Sequence, residues 1–250
     1  MVVRIATLNL AQNHKCWELR RELIAAQLAE LNPDMFALNE IHIPTQTGRW
    51  LQRAAAERIG ANYFLLQQSK ADEESRTQAD GLLTRSQVSE TSTLDYGSYN
   101  CVAQVARFQI DERLLDVYVT HLIAARVPDY ARQYQIAQLL DWIKSREDAD
   151  FRVVCGDFNA TPEQPSIRLM LQTFQPTQDQ PTAFTPLQEP DGKPTHPEWE
   201  RFDRCIDYIW FSKSVTVKAS GLCFNKPAPG NPLLWPSDHV GVWADLEFPD

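Results

Sequence analysis

The chain has 250 residues, 43% of them hydrophobic and 23% charged, which is apolar enough for a large core and too apolar for a chain that stays disordered. Its 24 basic and 33 acidic side chains leave a net charge of −9. That balance argues against gripping nucleic acid by bulk electrostatics, but not against an enzyme that recruits a cation to face a phosphate.

Apolar periodicity alternates between strand and helix along the chain. Residues 2–10 read as a strand. Residues 17–31 read as a helix with Leu23, Ile24, Leu28 and Leu31 on one face and Pro33 closing it. A short strand at 35–40 follows, then a helix at 50–59 ended by Gly60. Residues 63–66 and 81–83 read as short strands joined by the charged loop KADEESRTQAD. Residues 101–110 and 114–122 form a hairpin turned at Asp111 and Glu112. The next helix, 130–144, carries the stripe Ile136, Leu139, Leu140 and Ile143, and a buried strand at 151–155 leads into GDFNATP. Residues 166–174 read as a helix. Eight of the sixteen prolines fall between 162 and 197, so much of that stretch is loop. The end reads as strands at 205–211, 215–224 and 240–248. Hairpins mixed with helices predict a mixed sheet, or two sheets, rather than a purely parallel one.

Five scattered cysteines without a C-x-x-C pair read as reduced, buried thiols, and no apolar run of about 18 residues spans a membrane. Widely spaced histidines exclude H-E-x-x-H zinc chemistry. The expectation is a single domain over residues 1–250, cytoplasmic, of unspecified oligomeric state.

The informative residues are polar ones at strand ends, because burying a polar group without a partner costs roughly 2–7 kcal/mol. Asn9 interrupts IATLNL as its strand exits, as a turn residue or as part of a site. Glu40 ends MFALNE. If those two strands run parallel, an amide and a carboxylate share one sheet edge, a pair able to hold Mg²⁺, which takes oxygen ligands. His121 ends LLDVYVTH, as a structural histidine or a functional one. Asp157 and Asn159, two apart, point the same way in an extended segment, or form a turn. Asp207, inside CIDYIWF, shares a face with Cys205, Ile209 and Phe211 by period-two alternation. A carboxylate there needs a partner: Arg201 or Arg204, or a histidine whose tautomer it fixes and whose pKa it raises. His239 is available for that role. Asp238 and His239 can both face one site only from the bend before the last strand.

Taken together, TLNL, LNE, THL, GDFNATP, RCIDYIW and SDH resemble, in order and over nearly the whole chain, the endonuclease/exonuclease/phosphatase superfamily. That is the fold of DNase-type nucleases, inositol polyphosphate 5-phosphatases and neutral sphingomyelinases. The resemblance implies an α/β four-layer sandwich, two mixed β-sheets packed face to face with helices outside. It implies a Mg²⁺-dependent phosphoric ester hydrolase, with Mn²⁺ as a substitute. By the same resemblance Glu40 is the main metal ligand, helped by Asn9 and Asp238. His239, oriented by Asp207, activates water or stabilises the pentacovalent phosphorus, and Asp157 is the rival general base. Asn159 and His121 hold non-bridging phosphate oxygens, and His121 is a candidate to protonate the leaving group. The apurinic-endonuclease branch usually has a tyrosine where His121 stands, so the chain is more similar to the DNase, sphingomyelinase and phosphatase branches.

The expected substrate is a phosphodiester or phosphomonoester, in a small molecule or a lipid headgroup. The alternatives are a DNA or RNA endonuclease of the same fold and a catalytically dead binding module. No basic cluster with interleaved aromatics favours a duplex binder. Specificity is expected in the loops at 41–49, 69–80, 123–130, 186–201 and 225–235, where Trp199 and Trp235 either stack on a substrate or pack the loops. Arg126 and Arg132 either bind phosphate or lie on a solvated helix face.

Overall fold

The structure, a computed structural model, describes residues 1–12, 16–70, 77–186 and 202–249. In chain order its elements are β1 (Val2–Asn9), α1 (Trp17–Leu31), β2 (Met35–His42), α2 (Thr47–Ile59), β3 (Phe64–Ser69), β4 (Gln78–Thr84), β5 (Glu90–Asp95), β6 (Val102–Ile110), β7 (Arg113–His121), α3 (Asp129–Ser145), β8 (Phe151–Asp157), α4 (Pro165–Met170), β9 (Phe174–Pro176), β10 (Asp207–Ser212), β11 (Thr216–Cys223) and β12 (Gly241–Glu247). The strands form two six-stranded sheets, ordered β11-β12-β1-β2-β4-β3 and β5-β6-β7-β8-β10-β9. Only β1/β2 and β7/β8 pair in parallel; every other named pairing is antiparallel.

Period-two alternation assigns the layers. Ile5, Met35, Ala37, Val242 and Ala244 of the first sheet meet Val117, Val119, Val153, Cys155 and Ile209 of the second. On the far side of the first sheet, Ala6, Leu8, Phe36 and Leu38 pack under Ile24 and Leu28 of α1 and Leu51 and Ala55 of α2. On the far side of the second, Tyr118, Val154, Tyr208 and Trp210 pack under Ile136, Leu139 and Ile143 of α3. The central strands are therefore buried on both faces, which is why they read as near-continuous apolar runs. This is the four-layer α/β sandwich of two mixed sheets.

Several local expectations shift. Helix α1 has the predicted limits, but its cap is Asn32, in the left-handed region at φ 50° with its N–H on the Leu28 carbonyl; Pro33 follows it. Helix α2 begins at Thr47 rather than residue 50. Helix α4 ends at Met170, short of the predicted 174, because Phe174 is claimed by β9, which pairs along β10. Strand β10 starts at Asp207, so Cys205 does not share its face with Ile209 and Phe211. Cys205 packs instead in the core under α3. The five cysteines are free. No helix among the described residues is long and apolar enough to cross a membrane.

Candidate active site

The two parallel pairs set the site. A parallel pair ends at one edge, and register places Asn9 beside Asn39 in the first sheet and His121 beside Asp157 in the second. Strand β10 runs antiparallel to β8, so its first residue, Asp207, lies opposite Asp157. His239 sits just before β12, in the bend the sequence requires, bridged to Ala183. Asn9, His121, Asp157, Asn159, Asp207 and His239 are all buried, whereas Glu40 and Asp238 are half-buried. All eight predicted residues line one edge of the sandwich.

A bulge aims Glu40. The β2/β4 register slips between Leu38 and Ile41, and Glu40 adopts φ 57°, a left-handed conformation that costs a non-glycine residue energy and concentrates at functional positions. The bulge lets consecutive residues serve different partners. Glu40 Oε1 accepts from Asn9 Nδ2 at 3.2 Å. Asn39 donates to Asp80 Oδ1 at 2.9 Å in its own sheet and reaches across to the second, donating to the Thr120 carbonyl at 3.0 Å and accepting from the Asp157 N–H at 2.9 Å. Asn39→Ala strands three buried polar groups, each costing about 1–3 kcal/mol. A loss of at least ~3 kcal/mol in urea unfolding is expected; a loss under ~1 kcal/mol would show that Asn39 does not tie the sheets.

Asp157 and Asn159 converge, but not by extended geometry. Asn159 sits at φ 50° and its N–H donates to Asp157 Oδ1 at 2.8 Å, an Asx turn. The Asn159 amide then lies 3.2 Å from His121 Nε2 and donates to the Leu122 carbonyl at 3.0 Å. Gly156, one residue earlier at φ +137°, leaves no room for a side chain: a Cβ there would lie 1.9 Å from the Thr120 carbonyl oxygen.

The partner of Asp207 is His239. Its Oδ2 lies 2.8 Å from His239 Nδ1, while Oδ1 has no hydrogen-bond partner among the described residues. Among the described residues Arg204 pairs with Asp203, at 3.8 Å, and Arg201 falls outside them. With Nδ1 engaged, His239 Nε2 points toward Asp157 Oδ2, 3.9 Å away. Burial alone would lower the His239 pKa, but the charge and hydrogen bond of Asp207, with Asp157 and Asp238 behind them, raise it well above the ordinary value. Asp157 is raised by burial and by the Asp207 charge. Glu40 is raised by burial and then by Asp238.

Two residues of the site were hidden in the charged loop. Its ends, Lys70 and Asp80, are both buried. Lys70 Nζ stands 3.8 Å from Asp80 Oδ2 and 3.4 Å from His121 Nδ1. Burial opposes the Lys70 charge, yet Asp80 and the other acids raise its pKa overall. Burial, then Lys70 and His239, push His121 well below its ordinary value. A histidine depressed on folding binds its proton more weakly than in the unfolded chain. Stability is therefore lost as pH falls below about 6.5. His121→Asn is expected to flatten the fall in Tm between pH 7 and 5; an unchanged slope would place that loss elsewhere.

Buried arginines brace the rim. Arg20 donates to the carbonyls of Leu10 and Pro236, tying α1 to the segments that carry Asn9 and Asp238. Arg132 is also buried, not solvated as a helix-face residue would be, and it donates to the carbonyls of Ile123, Ala124 and Val127. It shapes the loop after His121 rather than facing solvent or phosphate. Arg126 is exposed. Trp199 and the loop at 187–201 lie outside the described residues, and the Trp235 ring nitrogen donates to the Pro232 carbonyl at 2.8 Å, a packing contact within its own loop.

Two carboxylate groupings can hold a cation. One oxygen of Asp157, one of Asp207 and a ring nitrogen of His239 lie within 4.8 Å of one another, but the last two already bond each other. Glu40 and Asp238 are the other grouping, two half-buried acids close enough for one to shift the other. Such an all-oxygen set suits a hard divalent ion. Asn9 lies between Glu40 and Asp157 and here turns its amide nitrogen to both.

Comparisons with known proteins agree with this fold. Rat Nocturnin (Rattus norvegicus) is 25% identical over 260 residues, covering 93% of this chain and 59% of Nocturnin, so the chain spans about three fifths of the length of the curated relatives it matches. A Bacteroides vulgatus endonuclease/exonuclease/phosphatase structure superposes with a TM-score of 0.78 at 18% identity, covering 100% of both chains. The human Nocturnin catalytic domain with bound sulfate gives 0.76 at 20% identity, covering 99% of this chain and 95% of that one. Residues 6–239 match the profile of the Endonuclease/Exonuclease/phosphatase family, from just before Asn9 to His239, and the chain belongs to that family.

Proposed function

We propose that this chain is a divalent-metal-dependent phosphoric ester hydrolase, with Mg²⁺ as its ion and Mn²⁺ as a substitute, and with Glu40, Asp238 and Asn9 holding the ion. The observation that carries the reading is the meeting, at one edge, of an acid pair able to hold a cation with a charged imidazole braced by Asp207. Bound there, a divalent ion neutralises charge on the phosphate oxygens.

The protein's own groups divide the remaining work. His239, held as the cation by Asp207, turns Nε2 toward Asp157 and stabilises charge on a phosphoryl oxygen. Asp157 Oδ2, raised toward the neutral range and 3.9 Å from that nitrogen, is placed to take the proton of an attacking water. That choice favours Asp157 over His239 as the base, since a protonated imidazole cannot accept. His121, neutral at pH 7, and Asn159 supply N–H donors for non-bridging oxygens, with the Lys70 charge behind His121. In-line attack then needs only a positioned water and an open leaving side. The intact set argues against a dead binding module, and the net charge of −9 favours small-molecule or headgroup esters over duplex nucleic acid.

The test is a panel of bis(p-nitrophenyl) phosphate, inositol phosphates, sphingomyelin and DNA and RNA, each with Mg²⁺, Mn²⁺ or EDTA. Turnover of at least one ester that EDTA abolishes is expected. EDTA-insensitive turnover, or none on any ester, contradicts the reading; plasmid nicking at rates above the small esters would select a nuclease.

A further inference from the structure

Asn9 ends β1, and Asp238 comes just before β12, the antiparallel neighbour of β1. The ladder between them stops at Thr7 and Val242, so the backbones that carry these two residues lie beyond it. Side chains take over there. Ser237 Oγ donates to the Asn9 carbonyl at 2.6 Å. Arg20 Nη1 donates to the Leu10 carbonyl at 3.1 Å and to the Pro236 carbonyl at 2.7 Å, and Nη2 reaches the Ala11 carbonyl at 3.5 Å. The Ala11 N–H in turn donates to Asn9 Oδ1 at 2.9 Å, with Ala11 in the left-handed region at φ 52°. One guanidinium therefore spans both segments, and its hold on Ala11 passes to the Asn9 side chain.

Charge does not account for this residue. Arg20 is fully buried, and burial lowers its pKa to about 10 against the opposing pull of Asp238, Cys16 and Glu40. Burying a cation is costly. A cation that feels the same two acids as a metal ion also repels that ion. What Arg20 can add to ion binding is geometry. A guanidinium offers its donors in a rigid planar fork, whereas an ammonium is a point charge on a flexible stem. The fork holds carbonyls of two segments in fixed directions, and the Trp17 ring, its centroid 5.5 Å from the guanidinium carbon, packs against it.

We propose that Arg20, with Ser237, is a positioning residue for the divalent ion: the two side chains replace the missing ladder and fix the spacing between Asn9 and Asp238 before the ion arrives. This rests on the ion site of the hydrolase reading. Asn9 Oδ1 keeps a second lone pair free of the Ala11 N–H, and Glu40 is tied to the same unit through the Asn9 amide. Loosening the clamp lets the three oxygen donors drift apart, and the ion then has to gather them at its own expense.

The test is Mn²⁺ affinity of the full chain at neutral pH without substrate, read from the EPR signal of the free ion. Arg20→Lys keeps the charge and loses the fork, and Arg20→Gln loses both. Each is expected to weaken binding by about 10–100-fold, the range for removing a group that orients a metal ligand. If charge alone mattered, Arg20→Gln would bind more tightly, a repelling cation being gone, and Arg20→Lys would match the wild type; either result overturns the positioning role. Arg132→Lys is the control, another buried arginine, with its donors on carbonyls of the loop after His121. Its affinity is expected to stay within about twofold of the wild type, as for a distant, independent site; a loss equal to that of Arg20→Lys would mean general loosening and would also overturn the role. Should the Arg20 variants fail to fold, Ser237→Ala decides: a loss of roughly fivefold, the worth of one hydrogen bond, supports the clamp, and unchanged affinity overturns it. A wild type that binds no Mn²⁺ at millimolar concentration sinks the ion site and the positioning role together, whereas a wild type and variants that bind alike sink the positioning role alone.

Discussion

Glu40→Gln is expected to reduce kcat/KM with Mg²⁺ by roughly 10²–10³-fold, the scale of losing one preorganised electrostatic element, and to remove the ion's effect on stability. The second readout is independent of turnover. An ion that binds only the folded chain stabilises it by RT ln(1 + [L]/Kd), about 2.7 kcal/mol at a hundredfold excess over Kd. For a chain of this size each kcal/mol moves Tm by about 2–4 °C, so saturating Mg²⁺ should raise the wild-type Tm by about 5–10 °C. The substitution keeps the side chain's shape and its hydrogen bond partner Asn9, but halves the acid pair formed with Asp238. Burial and Asp238 both raise the Glu40 pKa, so without the ion this carboxylate is under electrostatic pressure, and relieving that pressure is what the ion contributes. A variant whose Tm still rises by the full wild-type amount would place the ion elsewhere.

His239→Ala is expected to cost at least ~10²-fold in kcat/KM, from the loss of a donor aimed at developing charge. It should leave a Mg²⁺-dependent rise in Tm, since Glu40 and Asp238 remain. Alanine, however, leaves the Asp207 carboxylate buried and unpaired, a change that can destabilise by about 3–5 kcal/mol. His239→Gln separates the two effects, because its amide can still donate toward Asp207 while carrying no charge. If His239→Gln folds with near-native Tm and retains more than a third of wild-type activity, the imidazolium is not needed for the reaction. If it folds and is as slow as His239→Ala, the charge matters and not the packing.

The sequence carried the fold because its central strands are sandwiched between two apolar layers, so they stand out as apolar runs, and because each helix announces its buried stripe. Strand β5 escaped notice for the opposite reason. ETSTLD is an edge strand with every residue half-buried or exposed, and Leu94 alone is too little apolar signal to mark it. Strand β9 is three residues long and was absorbed into the preceding helix. Asn9, Glu40, His121 and Asp207 are legible because each interrupts or ends an apolar run, whereas Asn159 and Asp238 stand in polar stretches and are marked by motif order. Asn39 was not legible, since it precedes Glu40 and its reach into the second sheet depends on a bulge that no local pattern encodes. Lys70 and Asp80 were invisible for a related reason. A run of charges reads as solvated, yet its two ends fold inward and meet His121. Of the two geometries open to Asp157 and Asn159, the turn and not the extended segment holds: the left-handed backbone of Asn159 brings it to His121. Pairings between distant segments are set by sheet register, and that is the information a single chain of letters withholds.

The most direct test of the shared site is anomalous diffraction from crystals grown with Mn²⁺ and inorganic phosphate. The account predicts one strong peak at roughly 2.0–2.2 Å from a Glu40 oxygen, the carboxylate distance typical of such ions, with the phosphate between that peak and His239 Nε2. A peak seated among Asp157, Asp207 and His239 with none on Glu40, or a phosphate bound away from both, would contradict it.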